Sequence, residues 1–140
     1  MVTFLADTNV LSELRKRERA NERLRAWTAS YGWGAICTSW IAIAEMKRGV
    51  ALVAGRDPVQ AASLDRWISE LLDHLDDRVF SVERSVAEAW ARLMAPKTRP
   101  SMDTLIAATA LVHGLTLATR NVRDFAGSGI QVFDPWSFKG

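Results

Sequence analysis

Cysteine occurs once in the 140 residues, as Cys37, and histidine twice, as His74 and His113. One thiol excludes a disulfide within the chain and suits a reducing compartment. Two histidines far apart in sequence, with no second cysteine, leave no zinc-ligand spacing to build on. No apolar run approaches the ~20 residues that cross a bilayer, and the first residues carry no signal-peptide pattern. A cytoplasmic chain without membrane attachment is therefore expected. No G-x-x-x-x-G-K-[ST] loop and no G-x-G-x-x-G follows the first apolar stretch, so nucleotide cradling is unsupported. The absence of a G-x-S-x-G elbow weakens a serine hydrolase reading. Internal repeats, low-complexity tracts and long linkers are also missing, which predicts one domain over residues 1–140. A domain of that size can bury roughly 70% of its unfolded surface.

What is present is ordinary in bulk and uneven in detail. Apolar residues make up 49% and charged residues 24%, with a formal net charge of +2. These are values of a soluble globular protein and do not announce a nucleic-acid binder. Between Glu13 and Arg25, however, Arg15, Lys16, Arg17, Arg19, Arg23 and Arg25 outnumber Glu13, Glu18 and Glu22. From Asp65 to Glu88 acids predominate. The basic end suits phosphates or an acidic partner, although interspersed signs on a solvated helix face account for it as well. The six tryptophans (Trp27, Trp33, Trp40, Trp67, Trp90 and Trp136) fall mostly at apolar helix positions. Core or subunit-interface packing is favoured for them over base stacking.

Along the chain, Val2 to Ala6 reads as a short buried strand. Helical stretches follow at about Asn9–Arg17 and Asn21–Ser30, and "YGWG" breaks the pattern. "AICTS" is a second strand, and Ser39 is placed to cap the helix of "WIAIAEMKRGVALVAG". Asp57 and Pro58 start a long amphipathic helix to about Leu75. "RVFSV" is a third strand and "SVAEAWARLMA" a helix. Ser101 is expected to cap "MDTLIAATALVH", Gly114 to end it, "LTLAT" to form the fourth strand and "GIQVF" the fifth. Uniformly apolar strands alternating with helices indicate a parallel sheet covered on both faces.

In such open sheets ligands sit outside the carboxyl ends of the strands, near the switch in strand order. Asp7 follows the first strand, and Asn121 and Asp124 follow the fourth. Glu45 and Asp103 lie on helices. Each acid has a plain explanation: an Asx-turn for Asp7, the positive helix end for Asp103, a turn for Asp124. Glu45 shares its helix face with Ile41, Ala42, Arg48 and Gly49, where an unpaired carboxylate is costly. Either Arg48 pairs with it or another cation lies near. Asp103 precedes "LIAATAL", whose alanines let that helix approach the sheet and carry Asp103 toward Asp7. Converging carboxylates repel and raise at least one pKa. A hard divalent cation, Mg²⁺ with Mn²⁺ as substitute, resolves this with oxygen ligands.

The segments "LADTNVLSEL", "TSWIAIAEMKRGV", "MDTLIAATALVHGLTLATRNVRDF" and "VFDPW" together resemble the successive signatures of PIN-domain ribonucleases, and within them the VapC-type toxins of bacterial toxin–antitoxin pairs. The resemblance covers nearly the whole chain in the right order. It implies a three-layer α/β/α sandwich with a central, mostly parallel five-stranded sheet. It also implies an acidic site for Mg²⁺ or Mn²⁺ and RNA hydrolysis. By motif, Asp7 is the first acid, Glu45 the helical glutamate and Asp103 the third. Relatives place the fourth acid either where this chain has Asn121 or at the Asp124 position. Many also carry a Thr where Ala42 stands here, and a longer stretch between Trp90 and Asp103.

The expected function is accordingly that of a metal-dependent endoribonuclease toxin. Its catalytic acids would be Asp7, Glu45, Asp103 and Asp124, with Asn121 as a neutral metal ligand or water anchor. Arg15, Arg17, Lys47, Arg48 and Arg120 are the candidates for holding the RNA backbone, contacts that set affinity and register rather than sequence choice. A small cognate antitoxin and a homodimer are the implied partners. The antitoxin is expected along Glu13–Arg25 and Trp40–Gly49. The alternative is a non-catalytic PIN-like module that binds RNA or a partner, favoured by Asn121. A phosphotransferase of the haloacid-dehalogenase type needs a second acid two residues after Asp7, where this chain has Asn9.

Overall fold

The computed structural model describes residues 3–140; Val2, expected in the first strand, lies outside the described residues. The strands are β1 (Phe4–Ala6), β2 (Ile36–Ser39), β3 (Val79–Phe80), β4 (Thr116–Ala118) and β5 (Val132–Phe133). The helices are α1 (Thr8–Leu14), α2 (Glu22–Tyr31), α3 (Trp40–Ala54), α4 (Pro58–Leu75), α5 (Arg84–Met94) and α6 (Ser101–Val112). Every β1 and β2 residue is buried, as a strand covered on both faces requires. At the edges, β3 and β5 shrink to two residues each, shorter than "RVFSV" and "GIQVF" suggest.

Side-chain chemistry sets most helix starts. The Asn21 side chain accepts hydrogen bonds from the Arg23 and Leu24 amides, Ser39 from Ile41, and Asp57 from Gln60, each satisfying an otherwise orphan donor. Gly114, at φ +65°, turns the chain out of α6 so that the Leu115 amide reaches the Ala110 carbonyl at 2.9 Å. One expectation is corrected. Ser101 is the first residue of α6 and Pro100 holds the cap position, with no capping side chain. The Pro100 carbonyl accepts from both the amide and the hydroxyl of Thr104, at 3.0 and 2.7 Å, so helical bonding already begins at the proline.

All pairings are parallel, in the order β3-β2-β1-β4-β5, and with the helices they form an α/β/α sandwich. Helices α3 and α4 pack together, as do α5 and α6. Ala107, Ala108 and Ala110 are fully buried and let α6 lie close on β2 and β4. From β1 the chain steps through β2 to β3, then returns to the other side of β1 for β4. The switch in strand order therefore lies between β1 and β4, and the crevice opens at their carboxyl ends.

Candidate functional site

Register decides what faces Asp7. Ala6 is paired with Ala118, so the next residues, Asp7 and Thr119, leave the sheet side by side. The Asp7 amide still donates to the Ala118 carbonyl at 3.1 Å, and Thr119 donates to the Phe133 carbonyl at 3.0 Å. Only 7% of Asp7 is exposed. Its Oδ1 accepts from the Val10 amide at 2.9 Å, capping α1, and its Oδ2 accepts from the Thr119 hydroxyl at 2.5 Å. The same hydroxyl accepts from the Asn121 amide at 3.0 Å. Asp7 is thus a helix cap and the centre of a buried polar knot at once. Thr119 is the residue that sequence reasoning missed. Its partner lies 112 residues away in sequence, beyond the reach of any local pattern.

Burial pushes the Asp7 carboxyl up, and the nearby charge of Asp103 pushes it further, against the lowering effect of its Thr119 and Val10 hydrogen bonds. Asp103, in the first turn of α6, is raised by burial and then by the charges of Glu45 and Asp124. The structure therefore brings Asp7, Glu45 and Asp124, from three separate elements, each within electrostatic reach of Asp103 on a fourth.

The Glu45–Arg48 pair does not form. Among the described residues the four ion pairs are Lys16–Glu13, Arg17–Glu70, Lys47–Asp65 and Arg84–Glu88. Glu45 Oε1 instead accepts from the Thr8 hydroxyl at 2.5 Å, a contact that α1 makes possible by packing on α3. Asp124 sits in a 3-10 turn, Val122–Phe125, and Asn121 precedes that turn without capping it by its side chain. Arg99, also missed, ties this turn down. Its Nη1 donates to the Asp124 carbonyl at 2.5 Å and its Nε to the Leu93 carbonyl at 3.2 Å, joining the end of α5 to the turn that carries Asp124. Of the basic candidates, Arg17 and Lys47 are engaged in exposed ion pairs. Arg120 lies over the Trp136 ring, 4.9 Å from its centroid. Trp27 is the tryptophan that is fully buried, and Trp40 is 47% exposed.

The donor chemistry fits a hard divalent cation: oxygen ligands, two of them raised by burial and mutual repulsion, and no paired base to neutralise them. Among the described residues no three His, Cys, Asp or Glu side chains stand close enough to hold an ion as placed. Cys37, the chain's one cysteine, is buried in the core and burial pushes its thiol up to about 12, so the crevice's donors are oxygens.

The sequence matches the PIN domain over residues 4–127. The chain belongs to the PIN-domain family. Among its relatives are toxin FitB of Neisseria gonorrhoeae, 34% identical over 138 residues, covering 95% of this chain and 98% of FitB. VapC ribonuclease Y4jK of Sinorhizobium fredii is 33% identical over 139 residues, covering 95% and 97%. A solved FitAB bound to an IR36 DNA fragment superposes with a TM-score of 0.86 at 32% identity, covering 99% of both chains. A toxin–antitoxin complex from Klebsiella pneumoniae gives 0.67 at 28% identity, covering 95% of this chain and 98% of that one. In this PIN domain the acid cluster lies where the strand order switches.

Proposed function

We propose that this PIN domain, spanning residues 1–140, is a metal-dependent endoribonuclease that acts as the toxin of a toxin–antitoxin pair in the cytoplasm. The observation that carries the reading is the electrostatic coupling of four carboxylates, Asp7, Asp103, Glu45 and Asp124, at the β1/β4 switch point without a compensating base. The relatives named VapC ribonuclease and toxin FitB supply the reaction class and the biological setting.

Asp7 and Asp103 would hold the cation, Mg²⁺ or Mn²⁺, with Glu45, Asp124 and the Asn121 carbonyl oxygen completing the ring directly or through water. Such a cation supplies Lewis acidity toward water and the phosphate oxygens. The protein's own part is to fix the carboxylates. The Val10 amide and Thr119 hydroxyl hold both oxygens of Asp7, so its remaining lone pairs have one orientation. The Thr8 hydroxyl holds Oε1 of Glu45. Arg15, Arg48 and Arg120 offer cationic contacts to the RNA backbone, and Arg17 and Lys47 can exchange their exposed carboxylate partners for phosphate.

The antitoxin has a seat in the same reading. Beside Glu45, a groove of about 210 Å³ is walled by Met46, Gly49, Leu64 and Trp67. At Arg15 and Trp67 it adjoins a cleft of about 710 Å³ bearing Lys16, Arg17, Arg19 and Arg66. A segment with an apolar anchor and acidic flanks fits that sequence of surfaces and would block Glu45. The test is direct. Purified protein with Mg²⁺ or Mn²⁺ should cleave RNA, exhaustive chelation should stop it, and Asp7→Asn or Asp103→Asn should remove cleavage with the fold retained. Activity undiminished by chelation would falsify the metal mechanism. Size exclusion with light scattering, with and without the co-expressed small neighbouring protein, tests the homodimer and the antitoxin complex.

A further inference from the structure

We infer that the cleft on the Asn121 side of the site, walled by Ser12, Glu13, Lys16, Arg120, Asn121 and Trp136, is a nucleotide subsite in which Arg120, braced by Trp136, grips a phosphate of the strand being cut. The inference rests on the ribonuclease reading and adds a place, a direction and two residues to it. The cleft holds about 370 Å³, enough for one nucleotide and water. It includes Asn121, whose amide is bonded to the hydroxyl that holds Asp7, so the cleft adjoins the Asp7 side of the acid cluster.

The charges in the cleft are not equivalent. Glu13 is already committed: it accepts from Lys16 Nζ at 2.9 Å and from the Asn21 amide at 2.8 Å, and these contacts, with the charges of Lys16 and the more distant Arg120, hold its carboxyl below the ordinary range. Arg120 is the opposite case. Among the described residues it forms no ion pair and donates no side-chain hydrogen bond. An exposed arginine with neither would ordinarily sample many rotamers, at an entropy cost when it binds. Here the Trp136 indole lies under the guanidinium, which restrains the group by cation–π attraction while leaving its N–H edge open. Trp136 is itself fixed, because the turn Pro135–Ser137 packs on α2 and the Trp136 amide donates to Asp134 Oδ1 at 2.8 Å. A planar, pre-oriented and unpaired guanidinium beside a cluster of acids is suited to a phosphodiester.

The test uses Asp7→Asn protein, expected to bind without cutting, and a fluorescent single-stranded RNA pentamer. Arg120→Gln should weaken binding roughly five- to twentyfold and lower the slope of log K against log salt by about 0.7, one single-strand phosphate contact. Arg120→Lys should keep the slope and lose part of the affinity. Trp136→Phe, which keeps a ring under the guanidinium, should cost less than Trp136→Leu, and neither should add to the loss in an Arg120→Gln background. An unchanged affinity and slope for Arg120→Gln overturns the subsite while leaving the ribonuclease reading intact. Loss of antitoxin affinity with RNA affinity unchanged assigns the cleft to the antitoxin instead. If the Asp7→Asn parent binds no RNA and wild-type protein cuts none, the ribonuclease reading falls and the subsite with it.

Discussion

The carboxylates of the sheet's carboxyl end and those of the helical surface are the same chemical groups in opposite circumstances. On the surface, Glu70, Asp65 and Glu88 each meet a base, and at least half of every such side chain, or nearly so, is open to water. At the β1/β4 crevice, Asp7 is buried and Asp103 half-buried, and neither meets any base among the described residues. Stability alone would favour the reverse, since a surface carboxylate gains little from a partner and a buried one gains most. The difference leaves the crevice's carboxylates uncompensated by any base of the described residues, which is the feature that the proposed cation would answer.

The sharpest way to break the comparison is to neutralise the crevice. Asp103→Asn should reduce RNA cleavage by a factor on the order of 10²–10³ or more, while far-ultraviolet circular dichroism is unchanged. Asn at 103 keeps the volume and removes the repulsion, so thermal stability in the absence of metal should hold or rise. A loss of folding would instead make Asp103 a structural residue.

Much of this crevice is legible in the sequence. A carboxylate directly after an apolar strand, and another opening an alanine-rich helix, marked Asp7 and Asp103 because both patterns follow from local periodicity. Glu45 was marked by its apolar helix face, but its partner was not: Arg48 was the local candidate, and Thr8 reaches it only through the packing of α1 on α3. Thr119 and Arg99 stayed hidden for the same reason. Their bonds to Asp7 and to the Asp124 carbonyl span 112 and 25 residues of sequence, and no periodicity encodes such a distance. Edge strands were overestimated because apolar residues near a sheet's rim pack on it without joining its ladder. The Ser101 cap failed because a proline carbonyl can open a helix without a capping side chain.

A finer cut separates Asp124 from Asn121. Asp124→Asn should raise the Mg²⁺ concentration for half-maximal cleavage about tenfold, more than Asn121→Ala does, because an amide oxygen adds no charge. Arg99→Met should move the same titration in the same direction, since the guanidinium anchors the turn that carries Asp124. Mn²⁺ affinity measured by calorimetry on the uncut protein is the second readout. In an Asp124→Asn background, Arg99→Met should add nothing. An additive effect would mean that Arg99 works elsewhere.

Protons offer a milder probe of the same crevice. The Asp7 carboxyl is raised above its ordinary value of 3.8, so the folded state binds its proton more tightly than the unfolded state does. Its contribution therefore weakens the fold as pH rises from that ordinary value through the raised folded value, and vanishes below both. Metal-free Asp7→Asn, which keeps an N-cap side chain, should melt a few degrees above wild type at pH 7.5 and together with it near pH 3. Added Mg²⁺ should raise the wild-type melting temperature and not the variant's.

The smallest effect belongs to the surface. Lys47 and Asp65 are half-exposed and 2.5 Å apart, linking α3 to α4. A double-mutant cycle with Lys47→Met and Asp65→Asn should return a coupling of about 0.5 kcal/mol or less, because water screens the pair and both side chains lose freedom in forming it. The informative variant is Asp65→Asn alone, which leaves the fold's stability nearly unchanged and frees the Lys47 ammonium. If Lys47 contacts RNA, this variant should bind the pentamer more tightly at low salt, with the gain fading as salt rises. If affinity is unchanged, Lys47 belongs only to the surface, and the candidates for the RNA backbone that remain are Arg15, Arg17, Arg48 and Arg120. A coupling near 2 kcal/mol would contradict the contrast itself, because it would make an exposed pair on the helices a structural element of the kind that the crevice lacks.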